Sequence, residues 1–407
     1  STLSFSTNYI RTTPKIVHDI AAELSLNEWR YTRKKFDSMA QNYFGVLIPL
    51  HLTGKIADKL VDIDVVLKLA PNDKRFRVSG AITAFFTREI FVYTHLLPKY
   101  SDLQNNYPFP LQYVMPSCYY VCNEYCHEAI VLQDMCQDGY KPYTETFLDI
   151  NHVTVALQSL AKFHALSFIF ELKEPERFKE VSEKCVPLCE KTNKRFLDVL
   201  KDRLTKAITQ FNGTAYVPLL EKLLENCESL VKSATLLANK TCICHGDIWK
   251  ENILFKYENG IPVSACLIDY QTARVCSPAF DMLYLIISST DTNLRKTYFF
   301  SLLNTYYQTI DKMLHQAGFK AQLFYSRQTF ESDLKIVGPA VFILANTGLW
   351  LANGMQQEGH VRSKLIVTTE EDKLKVAMKY KTVIKDIIDD LYSYGYLNKE
   401  LTILGGK

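Results

Sequence analysis

Glycine is scarce in this sequence, and its scarcity excludes several kinds of protein. Only 15 of the 407 residues are glycine, whereas average usage is about 7%. Neither a G-x-G-x-x-G nor a G-x-x-x-x-G-K-S/T pattern occurs, so the glycine-rich phosphate loops of Rossmann and P-loop proteins are excluded. Collagen-like and glycine-linker sequences are excluded for the same reason.

The sequence also lacks an excess of one charge, long apolar runs and the cysteine spacing of a disulfide framework. The 47 basic and 44 acidic residues leave a net charge of +3, and no dense basic stripe indicates a nucleic-acid partner. No uninterrupted apolar run approaches the roughly 18 residues of a membrane span, and residues 1–20 lack the order of a signal peptide. The 11 cysteines form an odd set without disulfide or zinc-binding spacing. We therefore expect a cytoplasmic protein without a membrane span, and nothing indicates an obligate protein partner.

The hydrophobic pattern changes character along the chain. Hydrophobic residues make up 47% of the sequence, enough to bury a sizeable core. Helical patterns dominate after Gly139, interrupted by a strand pair at 253–268. The elements predicted before that point are strands at 64–69, 118–122 and 129–133, and a helix at 84–97 that Pro98 ends.

This change marks the expected division of the chain. We expect a smaller lobe of mixed strands and helix over residues 1–136 and a larger, mostly helical lobe over residues 137–407. A hinge near residues 133–139 would join them. No internal repeat or low-complexity segment suggests any further unit.

The most specific pattern runs H-G-D-I-W-K-E-N from His245 to Asn252 and precedes two apolar segments joined by Asn-Gly at 259–260. Asn-Gly between two such segments is a strong hairpin signal, which places Asn252 close to Asp269 at the open end of the hairpin. Carboxylate and amide oxygens suit a Mg²⁺ ion that keeps water and phosphate ligands. Asp247, just before the hairpin, could accept the proton of an attacking hydroxyl.

These motifs resemble those of the protein-kinase-like phosphotransferases, among them the aminoglycoside and choline kinases. The stretches C-H-G-D-I-W at 244–249 and S-P-A-F-D-M-L-Y at 277–284 narrow the resemblance to the ecdysteroid kinase-like family, known mainly from insects. Matches at 131–135 and 160–167 extend the similarity over about residues 30–390. The resemblance implies an α+β, bilobal, kinase-like fold. Its small N-terminal lobe would have an antiparallel sheet and one main helix, and its larger C-terminal lobe would be mostly helical.

The resemblance also implies a function. Family members are expected to use ATP and Mg²⁺ to move a γ-phosphoryl group to an alcohol of a small molecule, here a steroid (ecdysteroid-like) or a xenobiotic. Asp247 matches the catalytic aspartate, and His245 matches the histidine that orients the catalytic motif. Asn252 and Asp269 match the metal ligands.

The nucleotide-binding positions follow from the same resemblance. Lys68 and Glu89 fall where the family keeps a strand lysine and a helix glutamate. Glu89 lies beside the apolar stripe of its helix, where a charge needs a partner, and Lys68 can provide it. Adenine is expected to contact the backbone of the hinge segment that includes Gln133 and Met135.

The expected phosphate loop departs from the family pattern. Residues 37–45 carry Ser38 and Ala40 where glycine usually lets the backbone approach the phosphates. Ser38 or Asn42 could contribute side-chain hydrogen bonds instead.

Other interpretations stay open at this point. Asp247 could cap a turn, and Lys68 could be an exposed strand residue. A catalytically silent, ligand- or nucleotide-binding pseudokinase would be consistent with the unusual phosphate loop. A protein kinase is disfavoured by Gly246 and by Tyr270-Gln271, which replace the arginine and the Phe-Gly of that class.

Three aromatic residues are candidates for the acceptor pocket. Trp249, Tyr270 and Trp350 could line it, although aromatic residues near a helical core more often serve packing. His164 and Ser167 lie three residues apart, but they lack the nucleophile elbow and orienting acid of a hydrolase.

Overall fold

The computed structural model describes residues 2–34, 45–79, 81–186, 195–359 and 361–398. Within these ranges the first lobe contains the strands β1 (Asn27–Arg33), β2 (Val46–Ile56), β3 (Lys59–Leu69), β4 (Cys118–Cys122) and β5 (Ala129–Gln133). Its helices are α1 (Thr2–Glu23), α2 (Lys74–Ser79), α3 (Ile82–Phe91) and α4 (Leu97–Gln104). The strands form one antiparallel sheet in the order β1-β2-β3-β5-β4, and the predicted strands correspond to the end of β3, to β4 and to β5.

Alternation along the strands gives this sheet one buried apolar face. Its core includes Ile48, Leu50 and Leu52 of β2, Val65, Leu67 and Leu69 of β3, and Val17 and Ile20 of α1. Because successive strand residues point to opposite faces, Lys68 lies on the other face of β3, towards α3.

The helix predicted over 84–97 differs from the structure at both ends. It begins at Ile82 in α3, widens into a π-helical turn over Val92–Leu96 and resumes as α4 as far as Gln104. The prediction that Pro98 ends it was wrong. Pro98 lies in the first turn of α4, directly after the π-helical turn, so the helix passes through the proline instead of ending there.

The second lobe is mostly helical. Its helices are α5 (Ile150–Lys173), α6 (Pro175–Lys184), α7 (Phe196–Gln210), α8 (Val217–Glu225), α9 (Cys227–Leu236), α10 (Pro278–Ser289), α11 (Thr292–Gln316), α12 (Ala321–Phe324), α13 (Arg327–Ala352) and α14 (Glu370–Ser393). Its strands are β6 (Tyr140–Pro142), β7 (Cys242–Cys244), β8 (Ile253–Glu258), β9 (Ile261–Leu267) and β10 (Arg274–Cys276). They form a small β6-β8-β9 sheet and a β7-β10 pair. The predicted α+β fold with two unequal lobes is confirmed.

The β8-β9 hairpin forms at the predicted Asn-Gly turn. Asn259 and Gly260 both have positive φ, at 52° and 78°, as a tight hairpin turn requires. A bulge at Lys256/Tyr257 shifts the register so that Ile253 pairs with Leu267. Asn252, whose carbonyl accepts the N–H of Ile268 at 3.0 Å, therefore lies at the open end of the hairpin, as the pattern predicts.

Two long helices form the centre of the second lobe. By length and mean hydropathy, α5 and α13 meet the criterion for a membrane span, but 78% and 67% of their most apolar windows are buried inside the fold. In the structure α5 packs against α11 and β9, and α13 packs against α10 and α9. Their apolar composition is therefore accounted for by burial in the core.

Candidate active site

A tight loop joins β7 to the hairpin and carries the H-G-D motif. Asp281 of α10 accepts the backbone N–H groups of His245, at 2.6 Å, and Gly246, at 3.0 Å. Gly246 has a φ of +89°, and a Cβ atom there would lie 2.2 Å from the carbonyl oxygen of Thr272. Only glycine fits this position, because any side chain would be both strained and in collision with backbone.

Asp281 is in turn held by a buried histidine. His164 of α5 contacts Asp281 through Nε2, at 3.0 Å, and Tyr306 through Nδ1, at 2.6 Å. Burial opposes the charge of Asp281, but the hydrogen bond and charge of His164 lower its pKa below the usual value. The ligating atoms of His164, Cys242 and Cys244 lie within 4.8 Å of one another. Both nitrogens of His164 are already hydrogen-bonded, however, so this group is a packed part of the core.

Asp247 follows this loop and presents a partly buried carboxylate. Tyr284 of α10 donates a hydrogen bond from its hydroxyl to Oδ1 of Asp247 at 3.1 Å. Burial raises the pKa of Asp247 to about 6, and the charge of Asp269 acts in the same direction, whereas Tyr284 and Arg274 oppose the rise. Above that pH the carboxylate is ionised and able to accept a proton.

His245 ties the loop to the hairpin. Its Nε2 lies 2.9 Å from the carbonyl oxygen of Ile268, and its Nδ1 accepts the backbone N–H of Asp247 at 3.4 Å. Burial lowers the pKa of His245, so the ring is neutral, with its proton on Nε2 facing the carbonyl. The ring thereby orients Asp247 relative to Asp269, the residue after Ile268.

Asn252 and Asp269 lie at the open end of the hairpin, as predicted. The side-chain amide of Asn252 donates to the carbonyl oxygen of Asp247 at 2.8 Å, which leaves its Oδ1 as the atom available to a ligand. Asp269 has a φ of +68°, a strained conformation for a residue with a side chain and one that is common at functional sites. An amide oxygen and a carboxylate are hard donors that fit Mg²⁺.

Lys68 connects the two lobes at this site. Its Nζ lies 2.5 Å from Oε2 of Glu89 and 2.9 Å from Oδ1 of Asp269. Burial opposes the charge on Lys68, but Asp269 and Glu89 outweigh it and raise the pKa. The ammonium group is therefore charged. The contact with Glu89 was predicted, whereas the contact with Asp269 was missed.

Several backbone N–H groups of the hinge segment are used within the fold. Gln133 donates its N–H to the carbonyl of Ser117, and Asp134 donates its N–H to the carbonyl of Asp64. Cys136 donates to the side chain of Asp134. Among the described residues, the backbone N–H of Met135 makes no hydrogen bond to a backbone carbonyl outside the helices and strands. The positions Ser38 and Asn42, by contrast, lie outside the described residues.

The three candidate aromatic residues lie in different surroundings. Tyr270 is fully buried and hydrogen-bonds the hydroxyl of Tyr113, so it serves packing. Trp350 is 6% exposed and meets Tyr380 edge-on. Trp249 is half-buried against the core.

Tyr284 is the contact of Asp247 that sequence reasoning missed. A signal was present, because Tyr284 follows Asp281 by three residues on α10. Side chains at this spacing lie on the same face of a helix, so both face the H-G-D loop. Within the motif at 277–284, the last residue could therefore have been placed beside Asp247.

Comparison with known structures finds distant similarity to small-molecule phosphotransferases. A Ralstonia eutropha protein assigned as an aminoglycoside phosphotransferase is 9% identical, with a TM-score of 0.45 over 95% of this chain and 99% of that one. The GDP complex of wild-type aminoglycoside 2'-phosphotransferase-IIIa is 11% identical (TM-score 0.39, 90% and 98% covered). Choline kinase LicA from Streptococcus pneumoniae is also 11% identical (TM-score 0.36, 92% and 99% covered). All three TM-scores lie below 0.5.

The sequence itself gives the family. No curated protein matches the chain. The model of the ecdysteroid kinase-like family, however, matches residues 39–319, well over half of the sequence. The match spans the sheet strands β2 to β5, the H-G-D loop and the hairpin. The chain therefore belongs to the ecdysteroid kinase-like family.

Proposed function

We propose that the protein is an ATP- and Mg²⁺-dependent phosphotransferase that moves the γ-phosphoryl group to an alcohol of a small molecule. The observation that carries this proposal is the convergence of four side chains: one ammonium, one amide and two carboxylates. The ammonium of Lys68 contacts Asp269, while the amide of Asn252 contacts the backbone of Asp247. A cation for phosphates, two oxygen ligands for a metal and a carboxylate base thus adjoin one another.

In the proposed reaction, Asp247 is the base. Oδ1 accepts the Tyr284 hydroxyl, and Oδ2 would take the proton of the acceptor alcohol. The alcohol oxygen bonds to the γ-phosphorus as the bond from that phosphorus to the β–γ bridging oxygen breaks, and a nucleoside diphosphate leaves. The transition state is loose, so positioning and charge do most of the work.

Asn252 and Asp269 would hold the metal ion, with Oδ1 of Asn252 as one donor. Bound Mg²⁺ supplies charge neutralisation for the phosphate oxygens. Lys68, held in its charged form between Glu89 and Asp269, supplies a further fixed positive charge. His245 keeps the loop in register with the hairpin through Ile268.

Residues 1–136 would bind the nucleotide, and residues 137–407 would supply the base and the acceptor site. In the first of these lobes, the N–H of Met135 is a donor suited to adenine, with Gln133 at the same edge. Ser38 and Asn42 are further candidates for side-chain hydrogen bonds to the phosphates.

The acceptor proposed is a steroid-like or xenobiotic alcohol, on the strength of family membership. A cytoplasmic location is proposed as well. It is supported by the ten cysteines of the described residues, which are all free thiols.

ADP release tests the proposed function directly. Wild-type protein should release ADP from Mg-ATP when cyclohexanol, choline or ecdysone is supplied, and the Asp247→Asn variant should not. Thermal stabilisation by Mg-ATP is measured in parallel, since a ligand that binds only the folded state raises the melting temperature. Stabilisation without ADP release for any alcohol would identify a silent nucleotide-binding protein and contradict the proposal.

A further inference from the structure

The hydroxyl of Tyr284 lies between Asp247 and the helix α13. On one side the hydroxyl donates to Oδ1 of Asp247 at 3.1 Å. On the other it faces α13, where a Cβ atom on Gly348 would lie 3.3 Å from the same oxygen. Gly348 therefore adjoins the catalytic carboxylate through a single shared neighbour.

The position next to Gly348 is otherwise open. The Tyr284 hydroxyl is the sole described heavy atom within 4 Å of where an added Cβ atom would lie, leaving aside the chain neighbours and the helix backbone of α13. Gly348 itself is half-buried. The space next to Gly348, here called the gap, is thus bounded by one polar group that also contacts Asp247.

The low helix propensity of glycine indicates that the missing side chain at position 348 has a function. Gly348 lies inside α13 (Arg327–Ala352), and glycine in a helix interior is unfavourable relative to alanine. Its φ is not in the left-handed region, so backbone conformation does not require glycine there. What glycine provides at this position is the absence of a side chain.

We propose that the acceptor alcohol binds in this gap, with its carbon skeleton against Gly348 and its hydroxyl directed to Oδ2 of Asp247. Tyr284 is the positioning residue of this subsite. By occupying Oδ1, its hydroxyl turns the other carboxylate oxygen towards the acceptor. The inference rests on the proposed function, because it assigns the acceptor position for the same base.

The location separates this subsite from the nucleotide positions. Tyr284 and Gly348 belong to α10 and α13 of the helical lobe, which pack against each other. Lys68 and Met135, the groups assigned to the nucleotide, belong to the sheet and the hinge. A change at Gly348 should therefore alter acceptor binding and spare nucleotide binding.

Gly348→Ala and Gly348→Leu test the subsite. Both variants replace glycine by a better helix former, so the melting temperature should stay level or rise in the alanine variant. The KM for the best alcohol among cyclohexanol, choline and ecdysone should increase about tenfold or more for alanine, and further for leucine. The thermal shift produced by Mg-ATP should be unchanged.

Tyr284→Phe tests the positioning role. The variant keeps the ring, which stacks on Phe280 with centroids 5.8 Å apart, and removes only the hydroxyl. We expect kcat to fall about tenfold or more while the Mg-ATP thermal shift is kept. An unchanged kcat would remove Tyr284 from this role.

The double variant Tyr284→Phe/Gly348→Ala separates the subsite from a simple packing role. Glycine could be needed at 348 only to avoid a steric clash with the Tyr284 hydroxyl. In that case, removing the hydroxyl should remove the effect of the alanine, and the KM of the double variant should equal that of Tyr284→Phe alone. If the acceptor occupies the gap, the KM stays raised in the double variant. An unchanged KM in Gly348→Ala, with Asp247→Asn inactive, would overturn the inference while leaving the proposed function intact. Active Asp247→Asn protein would contradict both.

Discussion

The ammonium of Lys68 lies 2.9 Å from the carboxylate of Asp269, although the two residues are 201 positions apart in the chain. The same ammonium reaches Glu89 at 2.5 Å. One cation therefore joins the sheet, α3 and the open end of the β8-β9 hairpin. Because all three charges are largely buried, this ion-pair cluster couples the integrity of the interlobe contact to the charge of Lys68.

Lys68→Met should both destabilise the protein and abolish phosphoryl transfer. It leaves Glu89 and Asp269 without their shared cation, and breaking a buried pair costs about 3–5 kcal/mol. Urea unfolding measures the loss of free energy. Lys68→Met/Glu89→Gln is the matched control and should recover part of the stability without recovering activity. A double variant no more stable than Lys68→Met would contradict the cluster.

Asp247→Asn should remove turnover and leave the fold intact. The asparagine keeps the shape of the side chain, and its oxygen can still accept the Tyr284 hydroxyl. It cannot take a proton from an alcohol. We expect kcat to fall at least about 100-fold, consistent with the usual contribution of a general base, with an unchanged melting temperature. Turnover above a tenth of the wild-type rate would exclude Asp247 as the base.

Local patterns predicted the elements of this protein well, and long-range contacts poorly. The hairpin could be placed from Asn-Gly at 259–260 because a turn depends on neighbouring residues. The bulge at Lys256/Tyr257 could not be predicted in this way, because a bulge depends on how the strands pack against the rest of the fold. The prediction ended the helix over 84–97 at Pro98, whereas the structure continues it through a π-helical turn into α4. A π-helical turn leaves no recognisable pattern of polar and apolar residues, so the sequence could not indicate it.

In the candidate site, too, local contacts could be predicted from the sequence and long-range contacts could not. Asn252 and Asp269 are brought together by one hairpin, so their proximity followed from the sequence. The contact of Lys68 with Asp269 depends on how two lobes meet, which no local spacing encodes. Tyr284 could have been found from its spacing to Asp281, but only with the knowledge that Asp281 faces the H-G-D loop.

Removal of the metal should abolish the effect of the nucleotide. Asn252 and Asp269 offer oxygen donors, and in such sites the metal ion bridges the protein and the phosphate oxygens of the nucleotide. In excess EDTA, ATP should no longer raise the melting temperature, and added Mg²⁺ should restore the shift. Asp269→Ala should weaken the Mg-ATP shift at every magnesium concentration. An equal shift with and without Mg²⁺ would count against the metal assignment.

Gly246→Ala should be far more damaging than Gly260→Ala, although both glycines have positive φ. At Gly260, with φ +78°, no heavy atom of the described residues other than the chain neighbours lies within 4 Å of an added Cβ. In that variant the free energy of unfolding should fall only by the cost of a left-handed backbone conformation for alanine, about 1–2 kcal/mol.

At Gly246, with φ +89°, the Cβ would also lie 2.2 Å from the Thr272 carbonyl and 2.5 Å from Arg274 Nη1. Alanine must therefore displace the loop that Asp281 holds through two backbone N–H groups, and Asp247 moves with it. We expect Gly246→Ala to unfold at a lower urea concentration than Gly260→Ala and to be inactive, while Gly260→Ala keeps its ADP release. Equal midpoints for the two variants would show that the loop can relax away from Thr272 and that glycine is not required there.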